Sequence, residues 1–203
     1  MDLEELKRRM HSGELYCCDE PTIAAEQMLY LDKLFAYNQL PPSRTEEKQT
    51  LLKEMFAEIG EGCYIETPFH ANWSGKNVHF GKNVYANFNL TLVDDSHIYV
   101  GNHVMMAPNV VLAGGTHPIH PELRKKQVQY NLPVKIEDNV WLGTGVIVLP
   151  GVTIGENSVI GAGSVVTKDI PKNVIAVGNP CHVLREINAD DLKYYEKKRL
   201  IDL

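Results

Sequence analysis

Two of the chain's eight histidines, His117 and His120, fall in one Pro-punctuated stretch, AGGTHPIHPELRKKQVQYNLP, over residues 113–133. A neutral imidazole titrates near ambient pH, so a histidine on such a segment can take the proton of a hydroxyl, although a His in Thr-His-Pro can also be a simple turn residue. An acidic pair, Asp94 and Asp95, ends the run Leu92-Val93. Either carboxylate could hold a hydroxyl or orient an imidazole; the bland alternative is a solvated corner. Four cysteines, Cys17, Cys18, Cys63 and Cys181, show no CxxC or CxxH spacing, which predicts free thiols rather than a zinc site or a disulfide framework. Gly161-Ala162-Gly163 opens no helix and is not a dinucleotide fingerprint.

These groups sit in an acidic chain of 203 residues with 20 Lys and Arg against 26 Asp and Glu, a net charge of −6 that disfavours a nucleic-acid partner. No apolar run approaches the roughly 18 residues of a membrane span. The N-terminal MDLEELKRRM is charged and lacks a secretory h-region, so the expectation is a cytoplasmic protein.

The elements that must position the histidine and the aspartates change character along the chain. Residues 1–62 read as a helical cap. Leu3, Leu6 and Met10 mark a first helix over 2–11, stopped by Ser12-Gly13. Ile23, Met28, Leu31, Leu34 and Phe35 mark a second over 22–37, ended by Pro41-Pro42. A third of about fifteen residues, capped by Ser43 or Thr45, carries Leu51, Leu52, Met55, Phe56 and Ile59 up to Gly60. From Tyr64 the apolar period becomes six. Ile136, Leu142, Val148, Ile154, Ile160 and Val166 form one series, and Val140, Val146, Val152, Ser158, Ser164 and Ile170 a second, four residues later. Phe80, Ala86 and Leu92 continue, after a slip of two residues at Asp94-Asp95, as Val100, Met106 and Leu112. A short recurring period of this kind marks a solenoid, with each coil buried against the next. Three hexads close one triangular coil, so residues 63–187 are expected to form a parallel β-helix whose glycines and asparagines serve tight corners. Residues 113–133 interrupt the hexads as an extruded loop. Residues 188–203 are expected to hold a charged C-terminal helix over 189–200.

Seven blocks in this order resemble the hexapeptide-repeat acyltransferases, and among them the maltose and galactoside O-acetyltransferases. They are SGELY at 12–16, YANFN at 85–89, VDD at 93–95, THPIHPELR at 116–124, NVWLG at 139–143, PGVTIGENSVIGAGSVVTKDIP at 150–171 and VGNPCHVLREI at 177–187. The resemblance implies a left-handed parallel β-helix, a homotrimer, no resident cofactor or metal, acetyl-CoA as co-substrate and a sugar hydroxyl as acceptor. It places His117 as general base and Asn87, Asp95, Tyr85 and Asp19 on the acceptor side, with Asp94 the weaker partner. For acetyl-CoA it implies Met105, Ala107, Trp141, Thr144, Ala162, Thr167, Lys168 and Arg185.

The chain departs from the galactoside pattern where Cys17 and Cys18 precede Asp19, around Asn72-Trp73-Ser74, and at His182. The identity of the acceptor therefore stays open. A γ-carbonic-anhydrase-like zinc enzyme and a non-catalytic scaffold share the solenoid. The spacing of three between His117 and His120 does not match the zinc ligation of the former.

Overall fold

The structure, a computed structural model, describes residues 2–202. Its body is a parallel β-helix of about six turns with three flat faces. The first face stacks Glu58–Ile59, Val78–Phe80, Ile98–Val100, Val134–Ile136 and Thr153–Ile154. The second stacks Tyr64–Ile65, Tyr85–Ala86, Met105–Met106, Trp141–Leu142, Val159–Ile160 and Val174–Val177. The third stacks His70–Ala71, Thr91–Val93, Val111–Ala113, Ile147–Val148 and Val165–Val166. Pairing is in register from coil to coil, as in Val78↔Ile98↔Val134 and Val111↔Ile147↔Val165. Both six-residue series point inward: Leu142, Val148, Ile154, Ile160, Val166, Val146, Ser158 and Ser164 are fully buried.

The asparagines and the glycines divide the corner work between them. Asn83, Asn139, Asn157 and Asn173 take left-handed conformations with φ of 56–62°. Their amides form ladders along the axis, Asn139 donating to Asn157 at 3.0 Å and Asn157 to Asn173 at 2.8 Å. Gly155 has an ordinary φ and is needed for space, since a Cβ there would lie 2.5 Å from the Lys172 amide nitrogen of the next coil.

Helices α1 (Leu3–Ser12), α2 (Pro21–Gln39) and α3 (Thr45–Met55) form the cap. Asp2 accepts from the Glu5 amide and Gly13, at φ 81°, ends α1; Pro21 starts α2. Helix α3 stops at Met55, short of Gly60, and Glu58–Ile59 already pairs with Val78–Phe80, so the solenoid begins inside the segment assigned to the cap. Ile23, Leu34 and Tyr37 are the buried residues of α2, while Met28 and Phe35 face outward. The open end of the first coil is closed by Tyr37, Leu52, Met55 and Phe56. Asn38 makes a reciprocal pair with the Phe69 backbone, and Gln49 donates to the Cys63 carbonyl. All four cysteines are free.

Two expectations need correction. The segment 113–133 is not an open loop: Gly115–Thr116 and Val128–Asn131 form an antiparallel hairpin across the short helix α4 (Pro121–Lys125). The N-terminal strand Tyr16–Cys17 adds to it through Tyr16↔Gln129. The expected C-terminal helix is absent as well. His182–Glu186 folds back antiparallel on the last coil, and residues 189–200 form two short 3₁₀ turns around the ladder Tyr194–Tyr195 with Arg199–Leu200. Its apolar side chains, Leu192, Tyr195 and Leu200, are exposed, so no packed face holds a helix there.

Candidate active site

The polypeptide leaves the third face twice at the same edge of the prism, after Thr91–Val93 and after Val111–Ala113. The first exit carries Asp94-Asp95 and the two extra residues; the second carries Gly115-Thr116-His117. A Cβ on Gly115 would sit 2.7 Å from Asp95 Oδ2, so the hairpin backbone lies directly over that carboxylate. His117 is exposed at the hairpin edge, and its Nδ1 lies 3.0 Å from the Val128 carbonyl oxygen. A carbonyl only accepts, so Nδ1 carries a proton, and in the neutral ring the lone pair lies on Nε2.

Asp95 is gripped from both sides. Asn72 Nδ2 donates to Oδ2 at 2.9 Å and Trp73 Nε1 to Oδ1 at 3.1 Å. Burial raises the Asp95 carboxyl above its usual value, while these donors and the His117 charge pull the other way. Asp94 faces inward and is buried, accepting from the Trp73 and Gly75 amides, and burial pushes it up to about 6. It braces the backbone and is not open to an acceptor.

A cleft of about 200 Å³ opens beside Asp95, lined among others by Tyr16, Cys18, Gln27, Asn72, Trp73 and Gln129. Buried Asn131 ties its walls together, donating to the Met10 carbonyl, the Tyr16 hydroxyl and the Asp95 carbonyl. Asp19 follows this strand, exposed, and is not among the lining residues, which include Cys17 and Cys18.

Four of the remaining expected residues occupy the opposite edge of the third face. Asn87, Ala107, Thr144 and Ala162 follow the second-face strands in successive coils, linked by Asn87 N–H to Met106 O, Ala107 N–H to Leu142 O and Gly163 N–H to Thr144 O. Beside them Tyr85, Met105 and Trp141 stack in register on the second face, 38%, 51% and 49% exposed, an apolar column open to solvent. Thr167 and Lys168 are exposed after the last third-face strand. Arg185, on the fold-back strand, holds Asp191 with both terminal nitrogens at 2.7 Å. Within one chain, Asn87 and Tyr85 therefore do not join Asp95 and His117. Among the described residues no group of three or more His, Cys, Asp and Glu could hold a metal ion.

Residues 9–60 match the maltose acetyltransferase hexapeptide capping motif, and residues 133–168 the bacterial transferase hexapeptide of six repeats. A galactoside O-acetyltransferase of Lactococcus lactis is 57% identical over 98% of this chain and 96% of its own length. The chain belongs to the hexapeptide-repeat maltose and galactoside O-acetyltransferase family. A solved galactoside acetyltransferase in complex with coenzyme A superposes with a TM-score of 0.93 at 45% identity, covering all of both chains. A maltose O-acetyltransferase from Clostridium difficile 630 superposes at 0.88 with 40% identity, over 90% of this chain and 97% of that one.

Against this family background, the residues that sequence reasoning misses are Asn72, Trp73 and Gln129 in the cleft wall, and Gly115 and Asn131, which pack against Asp95 and Tyr16. The departure at Asn72-Trp73-Ser74 is the one visible signal. Nothing in hexad counting announces that Asn131 meets Tyr16.

Proposed function

We propose that this protein transfers the acetyl group of acetyl-CoA to a hydroxyl of a sugar, with His117 as general base. The observation that carries the reading is the His117 Nδ1–H on the Val128 carbonyl, which leaves Nε2 free to accept a proton on the edge where Asp95 and the cleft lie. Nε2 takes the acceptor's hydroxyl proton as the oxygen attacks the thioester carbonyl. The C–S bond then breaks, and the imidazolium returns that proton to the departing thiolate, so the enzyme ends neutral. Asp95 stabilises the imidazolium or holds an acceptor hydroxyl.

The donor lies along the other edge, on Asn87, Ala107, Thr144 and Ala162, where small side chains leave backbone groups open to an extended pantetheine, with Met105 and Trp141 beside it. Thr167 and Lys168 follow the last third-face strand, on the base edge, so they would reach the nucleotide end of a donor held on the opposite edge of a second copy. Because the two edges are separated within a chain, a complete site joins the base edge of one copy to the donor edge of another, which favours a homotrimer with three shared sites. The solved relative with coenzyme A supports the donor, and the galactoside and maltose enzymes support a sugar acceptor.

Thiol release from acetyl-CoA in the presence of glucose, maltose, galactosides or amino sugars tests this. At least one should drive turnover, and His117→Ala should lower its kcat by about 10²–10⁴ with coenzyme A binding kept. No sugar-dependent release, or a variant retaining a third of wild-type kcat, overturns the reading.

A further inference from the structure

Trp73 lies with Leu6, Met10, Tyr16 and Ile23 in a small core of its own, apart from the solenoid interior. For packing alone a phenylalanine would serve. Its indole N–H, however, lands on Asp95 Oδ1, while Asn72 takes Oδ2, so the two oxygens of one carboxylate are held by adjacent residues of the first coil. That pair is fixed in turn by α2. Gln27 donates to the Asn72 carbonyl at 2.8 Å, Ser74 Oγ to the Tyr30 carbonyl at 2.7 Å, and Tyr30 meets the indole edge-on. Lys76 lies 5.0 Å from the indole centroid and is ion-paired with Glu26, which also holds Lys7. From below, Asp94 accepts the Trp73 amide.

We propose that Trp73 is a positioning residue of the acceptor site, acting with Asn72 to hold the Asp95 carboxylate in one orientation toward His117 and the cleft, so that α2 sets the geometry of the reaction edge. The proposal rests on the reading of Asp95 as a group facing the acceptor and base. Two neutral donors suit this role because they orient a carboxylate and favour its charged form without neutralising it, leaving its charge to act on the imidazolium. The ionisable groups around Asp95 are Tyr16 on the N-terminal strand and Cys18 just after it, Asp94 beside it and His117 on the hairpin.

Trp73→Phe keeps a ring in the small core and deletes the N–H. Loss of one hydrogen bond to a charged group should lower acceptor kcat/KM about tenfold, with the acetyl-CoA KM unchanged. The acid limb of the kcat/KM profile should move to higher pH, because the carboxylate loses a donor that favours its charged form. In an Asp95→Ala background the same substitution should add nothing further. A loss uniform across pH, or equal in both backgrounds, reduces Trp73 to a packing role and overturns the proposal. Should Trp73→Phe fail to fold by thermal melt, Asn72→Ala carries the same cycle through Oδ2. The Asp95→Ala arm alone separates the two readings: unchanged acceptor kinetics there removes Asp95 from the site and this proposal with it, whereas a clear loss there with an additive Trp73→Phe removes only the proposal.

Discussion

The Arg185 guanidinium is committed to Asp191 within the chain, whereas exposed Lys168 has no partner among the described residues. The Asp191 carboxylate, in turn, is drawn down to about 2 by that pairing. A nucleotide phosphate bound at these residues, as proposed, would compete with Asp191 for Arg185 and meet Lys168 unopposed. Lys168→Ala should therefore raise the acetyl-CoA KM about tenfold or more, the scale of a charge-assisted hydrogen bond. Arg185→Ala should raise it less than about fivefold, as expected for a group already engaged in an exposed pair. An acetyl-pantetheine thioester, which has no nucleotide, should not sense Lys168→Ala. Steady-state KM values for both donors decide this; equal losses on the two donors would make Lys168 a groove residue and not a phosphate contact.

At the scale of elements, the corners and the α1 contact each make a distinct demand. Asn157 adopts φ 62° and links two rungs of the amide ladder, so Asn157→Ala should cost about 1–2 kcal/mol from the left-handed backbone alone. Gly155→Ala, aimed at the Lys172 amide, should cost about 1–3 kcal/mol through overpacking. Thermal melts of the two variants measure both, and a neutral Gly155→Ala would mean the coils can separate to admit a methyl.

Helix α1 meets the prism through His11, whose ring centroid lies 4.8 Å from that of His97 at a tilt of 34°; the His97 ring bonds His79, and Glu58, Tyr99 and Lys76 surround the group. Burial above all, and neighbouring positive charge, hold His11 and His97 below the usual imidazole value. The unfolded chain thus binds more protons below about pH 6.5, and the stability these neutral rings contribute is lost as pH falls through that value. Asp94 acts with the opposite sign, its raised carboxyl favouring the fold as pH drops through about 6, so the test is differential. Between about pH 7.5 and about pH 5.5 the wild type should lose more melting temperature than His11→Asn does. Parallel curves would show that α1 docking does not depend on the neutral ring.

For the whole molecule the decisive question is whether the base edge and the donor edge belong to different copies. The exposed column of Tyr85, Met105 and Trp141 is an apolar strip on the donor side that a second copy and an extended donor would cover. Light scattering should give three times the chain mass at micromolar concentration. Mixing gives the sharper result. His117→Ala has an intact donor edge and Ala162→Tyr an intact base edge, so co-refolded chains should regain activity that neither variant has alone. Inactive mixtures, or a fully active monomer, would place the whole site in one chain.

The hexad register determines where each inward residue lies, because a solenoid repeats one local environment and its buried positions follow from counting along the chain. Ile136 through Val166 are buried as that arithmetic demands. The blocks THPIHPELR and VDD are equally legible as candidate chemistry, carried by residue types in an ordered set. Other features need the folded chain. Gly155 reads in the sequence as a corner glycine, but coil-to-coil approach explains it, and only the stacked coils reveal that distance. The expected loop is a hairpin, and the strand that extends it pairs Tyr16 with Gln129, a partner more than a hundred residues away that no local pattern encodes. Arg185 and Lys168 are equivalent cations in the sequence, and only the fold brings Asp191 against one of them. The clamp on Asp95 joins the first coil, the second coil and the cap across a two-residue slip in the register. Such a site depends on how coils and helices dock, and docking is a property of the assembled surfaces and not of any single repeat.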